Sequence, residues 1–273
     1  MKDFTFKIYR WLLMEILRSN RPAENVEDYL GAHHNHRRVL VLRHDVDRRA
    51  WKAVKMAEIE RALGIRATYY FRCDRQGRFP VRAIRRIAAL NHGIGYHYET
   101  VTQCRGDKAK ALQVFDRNLH QLRKIAACRT ACRHNSPLFR YDNLDLLRKG
   151  CWQDFKLIGD AVLSFENANI FYLTDTGGKW GSGGSLNFCD TQAGAIRHDV
   201  PSSTLALAAI IKNENIPIYL NIHPERWAFG LLDWLFSRSM DRIANIAKVL
   251  IRMFRKPNAS RIEFPPADRN NNI

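Results

Sequence analysis

The stretch "VLVLRHDVDRR" at residues 39–49 sets four apolar residues directly before a run of charged ones. The short run at 39–42 is apolar and rich in β-branched valine, which is typical of a buried β-strand. Asp45 and Asp47 follow one residue apart, at the point where burial should end. If the chain is still extended there, both carboxylates leave it on the same side, because side chains alternate along a strand.

Similar strand-like runs recur along the chain, with helical patterns between them. The further runs are at 67–71, 94–98, 170–174 and 216–222, with a less distinct one near 128–132. The helical patterns are at 48–63, 80–90 and 107–126. This alternation predicts parallel strands with helices packed outside them.

A polar motif follows each predicted strand. In chain order the motifs are "RHDVD", "RCD", "HYE", "CRHNSP", "DTGGKW" and "HPERW". The carboxyl ends of parallel strands lie at one edge, and in β/α barrels the loops at that edge build the active site. We therefore expect these motifs to meet in one polar site.

The composition is that of a globular protein. The chain has 273 residues, of which 46% are hydrophobic and 26% charged. We expect a single domain over 1–273, with an N-terminal helix at about 4–18 and a C-terminal helix at about 230–256. The apolar run at 11–14 is shorter than the roughly 7–15 residues of a signal-peptide core, and no window reaches the about 18 apolar residues of a membrane span. We therefore expect a cytoplasmic protein, whose cysteines, lacking any CxxC pair, are reduced thiols.

The chain carries a large positive charge. It has 44 Lys+Arg against 27 Asp+Glu, a formal net charge of +17, which favours an anionic partner. The basic residues are spread over several predicted helices, which disfavours nucleic acid.

The predicted C-terminal helix is amphipathic. One face would carry Phe236, Met240, Ile243, Ala247, Leu250 and Phe254, with Arg238, Arg242, Lys248, Arg252 and Arg255 largely elsewhere. Such a helix can lie on an anionic membrane, which predicts peripheral contact at the inner membrane surface. Packing of the apolar face against the barrel is the alternative.

Two pairs of polar residues suggest a metal site. Two carboxylates as close as Asp45 and Asp47 repel one another unless a cation lies between them. His97 and Glu99 show the same spacing after another strand, and imidazole with carboxylates is a typical ligand set for zinc or a similar ion. The alternatives are that Asp47 caps the helix predicted at 48–63 and that His97 is a hydrogen-bonded structural residue.

A candidate proton donor follows the last predicted strand. His223 stands directly before Pro224, which ends regular structure there, and its imidazole is suited to proton transfer near neutral pH. Asp175, in "YLTDTGGKW", is a candidate partner to orient that ring. Trp180 in the same motif could form the wall of a sugar or acyl pocket, or pack in the core.

The order of the motifs resembles a known superfamily. "HDVD", "HGIGYHYE", "CRHNSP" followed by "YDN", "YLTDTGGKW" and "NIHPERW" are similar to the polysaccharide deacetylase-like proteins of the NodB-homology (carbohydrate esterase 4-like) superfamily, in its "HDVD" branch. The resemblance covers about residues 4–250. It implies an α/β fold, an irregular (β/α) barrel, and metal-dependent removal of an acyl group from an amide nitrogen of a sugar.

The resemblance also implies roles for single residues. Asp45 resembles the general base and Asp47 a metal ligand. His97 resembles the first histidine of the two-histidine metal motif, and His223 the catalytic acid.

Two positions depart from the family pattern. The usual second histidine falls at Val101, which cannot bind metal, so Glu99 and then His134 are our candidates for the third ligand. The arginine that usually braces the base has no clear counterpart, and Arg133 and Arg43 are both candidates, each also able to contact substrate.

These observations predict a metal-dependent deacetylase or amidase in surface polysaccharide synthesis, of capsule or O-antigen. The expected substrate is an N-acylated sugar or glycan, anionic or lipid-linked. The expected cofactor is a divalent metal, zinc first, with manganese, iron or cobalt as alternatives. The alternative function is a catalytically inactive barrel that binds glycans or serves as a scaffold, as the valine at 101 would allow.

Overall fold

The computed structural model describes residues 2–31, 38–134, 141–181, 192, 195, 196 and 198–254. The strands are β1 (Ala23–Glu24), β2 (Leu40–Val46), β3 (Thr68–Phe71), β4 (Gly93–Tyr98), β5 (Thr130–Arg133), β6 (Gly159–Asp160), β7 (Phe171–Thr174) and β8 (Ile218–Ile222). The α-helices are α1 (Phe6–Arg18), α2 (Val26–Gly31), α3 (Ala50–Ala62), α4 (Val81–Ala89), α5 (Thr100–Gln103), α6 (Lys108–Arg123), α7 (Thr204–Asn213) and α8 (Leu231–Phe254). Short 3₁₀ helices lie at Asn143–Leu146, Arg148–Phe155, Leu163–Phe165 and Pro224–Arg226.

All strand pairs of the sheet are parallel. The strand order is β6-β5-β4-β3-β2-β8-β7, and β1 pairs with the start of β2. The register sets Asp45 opposite Tyr70 of β3, and His97 of β4 opposite Cys132 of β5. The carboxyl ends of the strands therefore lie at one edge, as the sequence predicts.

Side chains alternate across β2 between two apolar cores. Leu40 and Leu42 pack among the helices outside the sheet, whereas Val39 and Val41 pack in a second, interior cluster. Arg43 and Asp45 continue the alternation of Val39 and Val41, so their side chains lie on the same, interior face of the sheet.

The interior cluster joins the two ends of the sheet. Phe165, which follows the edge strand β6, stacks on Tyr219 of β8 with ring centroids 4.3 Å apart. The Tyr219 hydroxyl also donates to the Ala161 carbonyl at 2.9 Å. Since β6 and β8 lie near opposite ends of the strand order, the sheet must curl into a half-barrel. The sequence predicted an irregular (β/α) barrel, and this curled parallel sheet with helices outside it confirms that prediction.

A buried polar cluster lies on the helix side of β2. The Glu60 carboxylate contacts His44 Nε2 at 2.6 Å and accepts hydrogen bonds from the Tyr69 hydroxyl at 2.7 Å and from the Tyr9 hydroxyl. Burial by itself would raise the pKa of Glu60, but the neighbouring His44 outweighs it and the pKa is lowered. The cluster ties α1, α3, β2 and β3 together through one buried charge.

We expect Glu60→Gln to lower the free energy of unfolding by about 3 kcal/mol at pH 7, because it removes a buried charge from its donors. A lowered carboxylate pKa stabilises the fold above the unfolded-state pKa of about 4.3, and this contribution is lost as the pH falls. The difference in unfolding free energy between the variant and the wild type, measured by urea unfolding, should therefore become smaller at acid pH. Glu58→Gln, on the more exposed side of the same helix, is the control. A difference that stays constant down to acid pH would contradict this account.

Candidate metal centre and active site

The exits of five strands bring polar side chains together. Asp45 and Asp47 come from β2, His97 from β4, His134 from β5, Asp175 from β7 and His223 from β8. The convergence agrees with the site expected from the motif positions. Asn135, Ser136 and Pro137 of the "CRHNSP" motif lie outside the described residues.

Three of these side chains gather as a ligand group. Asp47, His97 and His134 each offer one ligand atom, and these atoms lie within 4.8 Å of one another. The Nε2 atoms of His97 and His134 are each 3.6 Å from Asp47 Oδ1. In the described part of the chain, Asp47 Oδ1 is buried and has no hydrogen-bond partner. A buried carboxylate oxygen without such a partner is costly, and a cation among the three atoms would remove that cost.

Both imidazoles are held in the tautomer that metal binding needs. His97 Nδ1 donates to the Cys132 carbonyl at 3.1 Å, and His134 Nδ1 donates to Glu99 Oε2 at 2.9 Å. Each Nε2 therefore keeps its lone pair for a metal ion. Burial lowers the pKa of His97 to about 4, so its ring is neutral at pH 7. The donor set fits a divalent ion bound by two histidines and one carboxylate.

Glu99 lies behind this group rather than in it. Strand β4 ends at Tyr98, and Glu99 turns into α5, so the extended chain that placed it beside His97 is absent there. Its carboxylate accepts hydrogen bonds from Arg72 at 2.6 Å and from His134 at 2.9 Å. Glu99 was the first candidate for the third ligand and His134 the second, and of these two only His134 belongs to the group of nearby ligand atoms with Asp47 and His97. Val101 is buried in the core.

Asp45 is braced by Arg43. The Arg43 Nε and Nη2 atoms donate to the two oxygens of Asp45 at 2.8 and 2.6 Å, and Asn221 Nδ2 donates to Oδ2 at 3.0 Å. Burial would raise the pKa of Asp45, but the charge of Arg43 holds that pKa well below its usual range. The other candidate brace, Arg133, pairs instead with Asp142 at 3.0 Å.

Asp45 faces the ligand group and His223. Its Oδ2 atom is 3.9 Å from His97 Nε2 and 4.0 Å from His223 Nε2. Asp45, His97 and Cys132 form another possible ligand group among the described residues. Both oxygens of Asp45 are already engaged, and burial raises the pKa of the Cys132 thiol well above its usual value. The group around Asp47 is the better metal site for these reasons.

Asp175 and His223, which their motifs suggested as a pair, are in direct contact. It accepts hydrogen bonds from His223 Nδ1 at 2.7 Å, from the His223 backbone at 3.1 Å and from Trp227 Nε1 at 2.8 Å. Burial by itself would lower the pKa of His223, but Asp175 outweighs it and raises the pKa to about 10. His223 thus carries a proton at neutral pH, with Nε2 directed toward Asp45.

The sequence left two interpretations open for Asp47 and for Trp180. Asp47 is not a helix cap, because α3 begins after Arg49 and lacks a side-chain cap. Trp180 is buried in the core against Phe4 and Trp227. Its indole nitrogen donates to Thr204 at 3.1 Å.

Three polar residues of the site were not predicted. Arg72 lies 3.7 Å from Asp47 and also binds Glu99, and Asn221 holds Asp45. Glu225 is buried, and among the described residues neither of its carboxylate oxygens has a hydrogen-bond partner. Burial, followed by the charge of Asp47, raises the pKa of Glu225 to about 7. Arg72 and Glu225 belong to the motifs "RCD" and "HPERW", which follow predicted strands. That position is the feature of the sequence from which both residues could have been predicted to lie in the site.

A scan against models of known protein families and a search of curated proteins returned no match. A search of solved structures found a mutant, with restored enzymatic activity, of a CE4 family pseudoenzyme, at 15% identity and a TM-score of 0.41. The match covers 81% of this chain and 65% of that one. A likeness this distant assigns neither activity nor residue roles to the chain.

Across the described ranges, no helix is both long enough and apolar enough to cross a bilayer.

Proposed function

We propose that the chain is a divalent-metal-dependent hydrolase that removes the acyl group from an N-acylated sugar. The observation that carries this proposal is the convergence of Asp47, His97 and His134 beside Asp45 and His223. It combines a ligand group, a carboxylate and a protonated imidazole at one edge of the sheet.

The ligand group would hold the ion through Asp47 Oδ1 and the Nε2 atoms of His97 and His134. A bound divalent ion polarises a carbonyl oxygen and makes a water easier to deprotonate. Zinc is our first choice, and manganese, iron or cobalt would suit the same donors.

The protein's own residues supply the proton transfers. Asp45, fixed by Arg43 and Asn221, accepts a proton from the attacking water. His223, held protonated by Asp175, gives a proton to the nitrogen that leaves. Hydrolysis of the amide then yields a carboxylic acid and a free amine.

The proposed substrate class rests on the charge of the whole chain rather than on contacts within the site. A net charge of +17 favours an anionic glycan, and we propose that the reaction belongs to surface polysaccharide synthesis, of capsule or O-antigen. The catalytically inactive alternative rests on the valine at position 101, and the group of Asp47, His97 and His134 favours the active enzyme because it needs no ligand at that position.

The proposal is tested by metal analysis combined with activity screening. The purified protein should contain close to one divalent ion per chain and should release acetate from nucleotide-linked or lipid-linked N-acetylated sugars. Chelation should abolish release, and adding the metal back should restore it. A protein that neither contains nor takes up metal would contradict the enzyme hypothesis and favour the inactive barrel.

Two variants separate the candidates for the third ligand. We expect His134→Ala to weaken metal affinity by more than about 100-fold, whereas Glu99→Gln, which only supports His134, weakens it by about tenfold. Isothermal titration with zinc measures both values. His120→Ala, at an exposed histidine, is the control. A larger loss in the Glu99 variant than in the His134 variant would return Glu99 to the ligand set.

A further inference from the structure

The helix α8 exposes its apolar side to solvent. Seven large apolar residues between 231 and 246 are exposed, including Leu232 at 83% and Ile243 and Ile246 at 61% each. The set, called here the α8 apolar face, is Leu231, Leu232, Leu235, Phe236, Met240, Ile243 and Ile246. The side chains of Ala247, Lys248, Leu250, Arg252 and Phe254, and the residue Arg255, lie outside the described ones.

The opposite, more polar side of α8 packs against the protein. Asp233 pairs with Lys52 at 2.8 Å, Asn245 Nδ2 donates to the Gly177 carbonyl at 3.0 Å, and Arg238 donates to the Gly178 carbonyl. Ser237, on the same side, is buried. Amphipathic helices of globular proteins normally turn their apolar side inward, so this orientation leaves a large apolar surface to be covered by something else.

The apolar surface continues beyond the helix. Phe229, 50% exposed, stacks on Phe6 with centroids 4.0 Å apart and on Trp51 at 5.5 Å. Trp51 is itself 55% exposed. Scattered single apolar residues are normal on a protein surface, whereas contiguous patches of this kind mark interaction sites.

Basic side chains surround the α8 apolar face. The Arg49 guanidinium lies over the Phe236 ring at 4.9 Å, and Arg242, seven residues after Leu235, is exposed on the same side of the helix. Lys2 and Lys7 line a shallow depression together with Phe229, Leu231 and Trp234. An apolar surface bordered by cations matches the acyl chains and anionic headgroups of a lipid layer.

We propose that the α8 apolar face docks on an anionic membrane surface. The net charge of +17 per chain argues against a second copy as the occupant, because two such chains would bring like charges together. The Gly177 and Gly178 carbonyls that α8 binds follow Asp175 at the exit of β7, so docking would occur beside the edge of the sheet that carries the candidate site. The docking itself does not depend on the proposed reaction.

Vesicle flotation of the full chain tests the proposal. The protein should float with vesicles of phosphatidylcholine and phosphatidylglycerol, should bind phosphatidylcholine alone much more weakly, and should be released as salt is raised. The variant L232S/F236S/I243S should lower the bound-to-free ratio by at least about tenfold. Arg242→Glu should weaken binding to the anionic vesicles only.

The control is the variant L17S/V200S/L205S, which removes exposed apolar residues elsewhere on the surface and should bind as wild type does. Thermal melts establish that each variant is folded. The proposal is overturned if the wild type does not float, or if both triple variants lose binding equally. It is also overturned if light scattering finds a dimer that only the α8 variant dissociates, since the face would then bind a second copy.

Discussion

Asp47→Asn is expected to lose metal and turnover together, whereas Asp45→Asn is expected to lose turnover and keep the metal. Asp47 offers His97 and His134 an oxygen that, among the described residues, accepts no hydrogen bond, and an amide oxygen is a far weaker ligand than a carboxylate. Asp45 has both oxygens bound to Arg43. A base that acts on water contributes about 10²–10⁴-fold in rate, and Asp45→Asn should lose that factor.

The measurement is metal content by mass spectrometry after dialysis, alongside the rate of acetate release. Asp45→Asn leaves the Arg43 guanidinium, which is 3% exposed, facing a neutral amide. We therefore expect its unfolding free energy to fall by about 3 kcal/mol, and turnover must be measured well below its melting temperature. Asp74→Asn, at a carboxylate on the exposed turn after β3, is the control. Equal metal loss in the Asp45 and Asp47 variants would mean that their roles are assigned wrongly.

The position of the site follows from the sequence because strand ends are encoded locally. Four apolar residues before "RHDVD" place β2, and the period of two then sets Arg43 and Asp45 on the interior side. The strand continues to Val46, which brings Asp47 to the same edge. The same reasoning places His97 and His223 at the ends of their strands.

The choice between the candidates for the third ligand depends on structure beyond the end of strand β4. Whether the chain stays extended after Tyr98 is decided by α5, a single short helical turn whose four residues carry no periodic signal. His134 reaches the site because its backbone extends the pairing of β5 with β4, donating to the Tyr98 carbonyl at 2.7 Å. That contact joins residues distant in sequence, which pattern alone does not specify.

The side of α8 that faces the protein also could not be predicted from the sequence pattern. Its amphipathic period was predicted, but which side faces the protein depends on partners such as Lys52 and the Gly177 carbonyl, which come from other elements. Trp180 is a similar case, since its burial depends on Phe4 from the N-terminal segment and Trp227 from the loop after β8.

His223→Ala is expected to slow amide hydrolysis by about 10²–10⁴-fold while leaving the metal in place. His223 Nε2 is 4.0 Å from Asp45, and the proposed role of His223 is to protonate the leaving nitrogen. An aryl ester such as 4-nitrophenyl acetate has a leaving group that needs no proton. The variant should therefore hydrolyse the ester at a rate much closer to that of the wild type. The fold-loss in amide hydrolysis divided by the fold-loss in ester hydrolysis measures how much His223 contributes by protonating the leaving group.

The partner of His223 gives this role a dependence on pH. Asp175 raises the pKa of His223 to about 10, so the proton is present throughout the neutral range and is lost only as the pH rises through that value. In Asp175→Asn the raising charge is gone, and the pKa should fall toward the ordinary value of about 6.5 or below. In a plot of amide hydrolysis rate against pH, the alkaline limb, where the rate falls as His223 loses its proton, should then lie several pH units lower than in the wild type.

Trp227→Phe is the matched control for the Asp175 variant. It removes one hydrogen bond to Asp175, through Oδ2, and keeps the contact between Asp175 Oδ1 and His223 Nδ1. Its alkaline limb should stay near that of the wild type, although loss of a buried hydrogen bond costs about 1 kcal/mol or more in stability. If Asp175→Asn changes the rate equally at every pH, Asp175 serves only to position the ring. If amide and ester hydrolysis fall together in His223→Ala, His223 is not the proton donor to the leaving group.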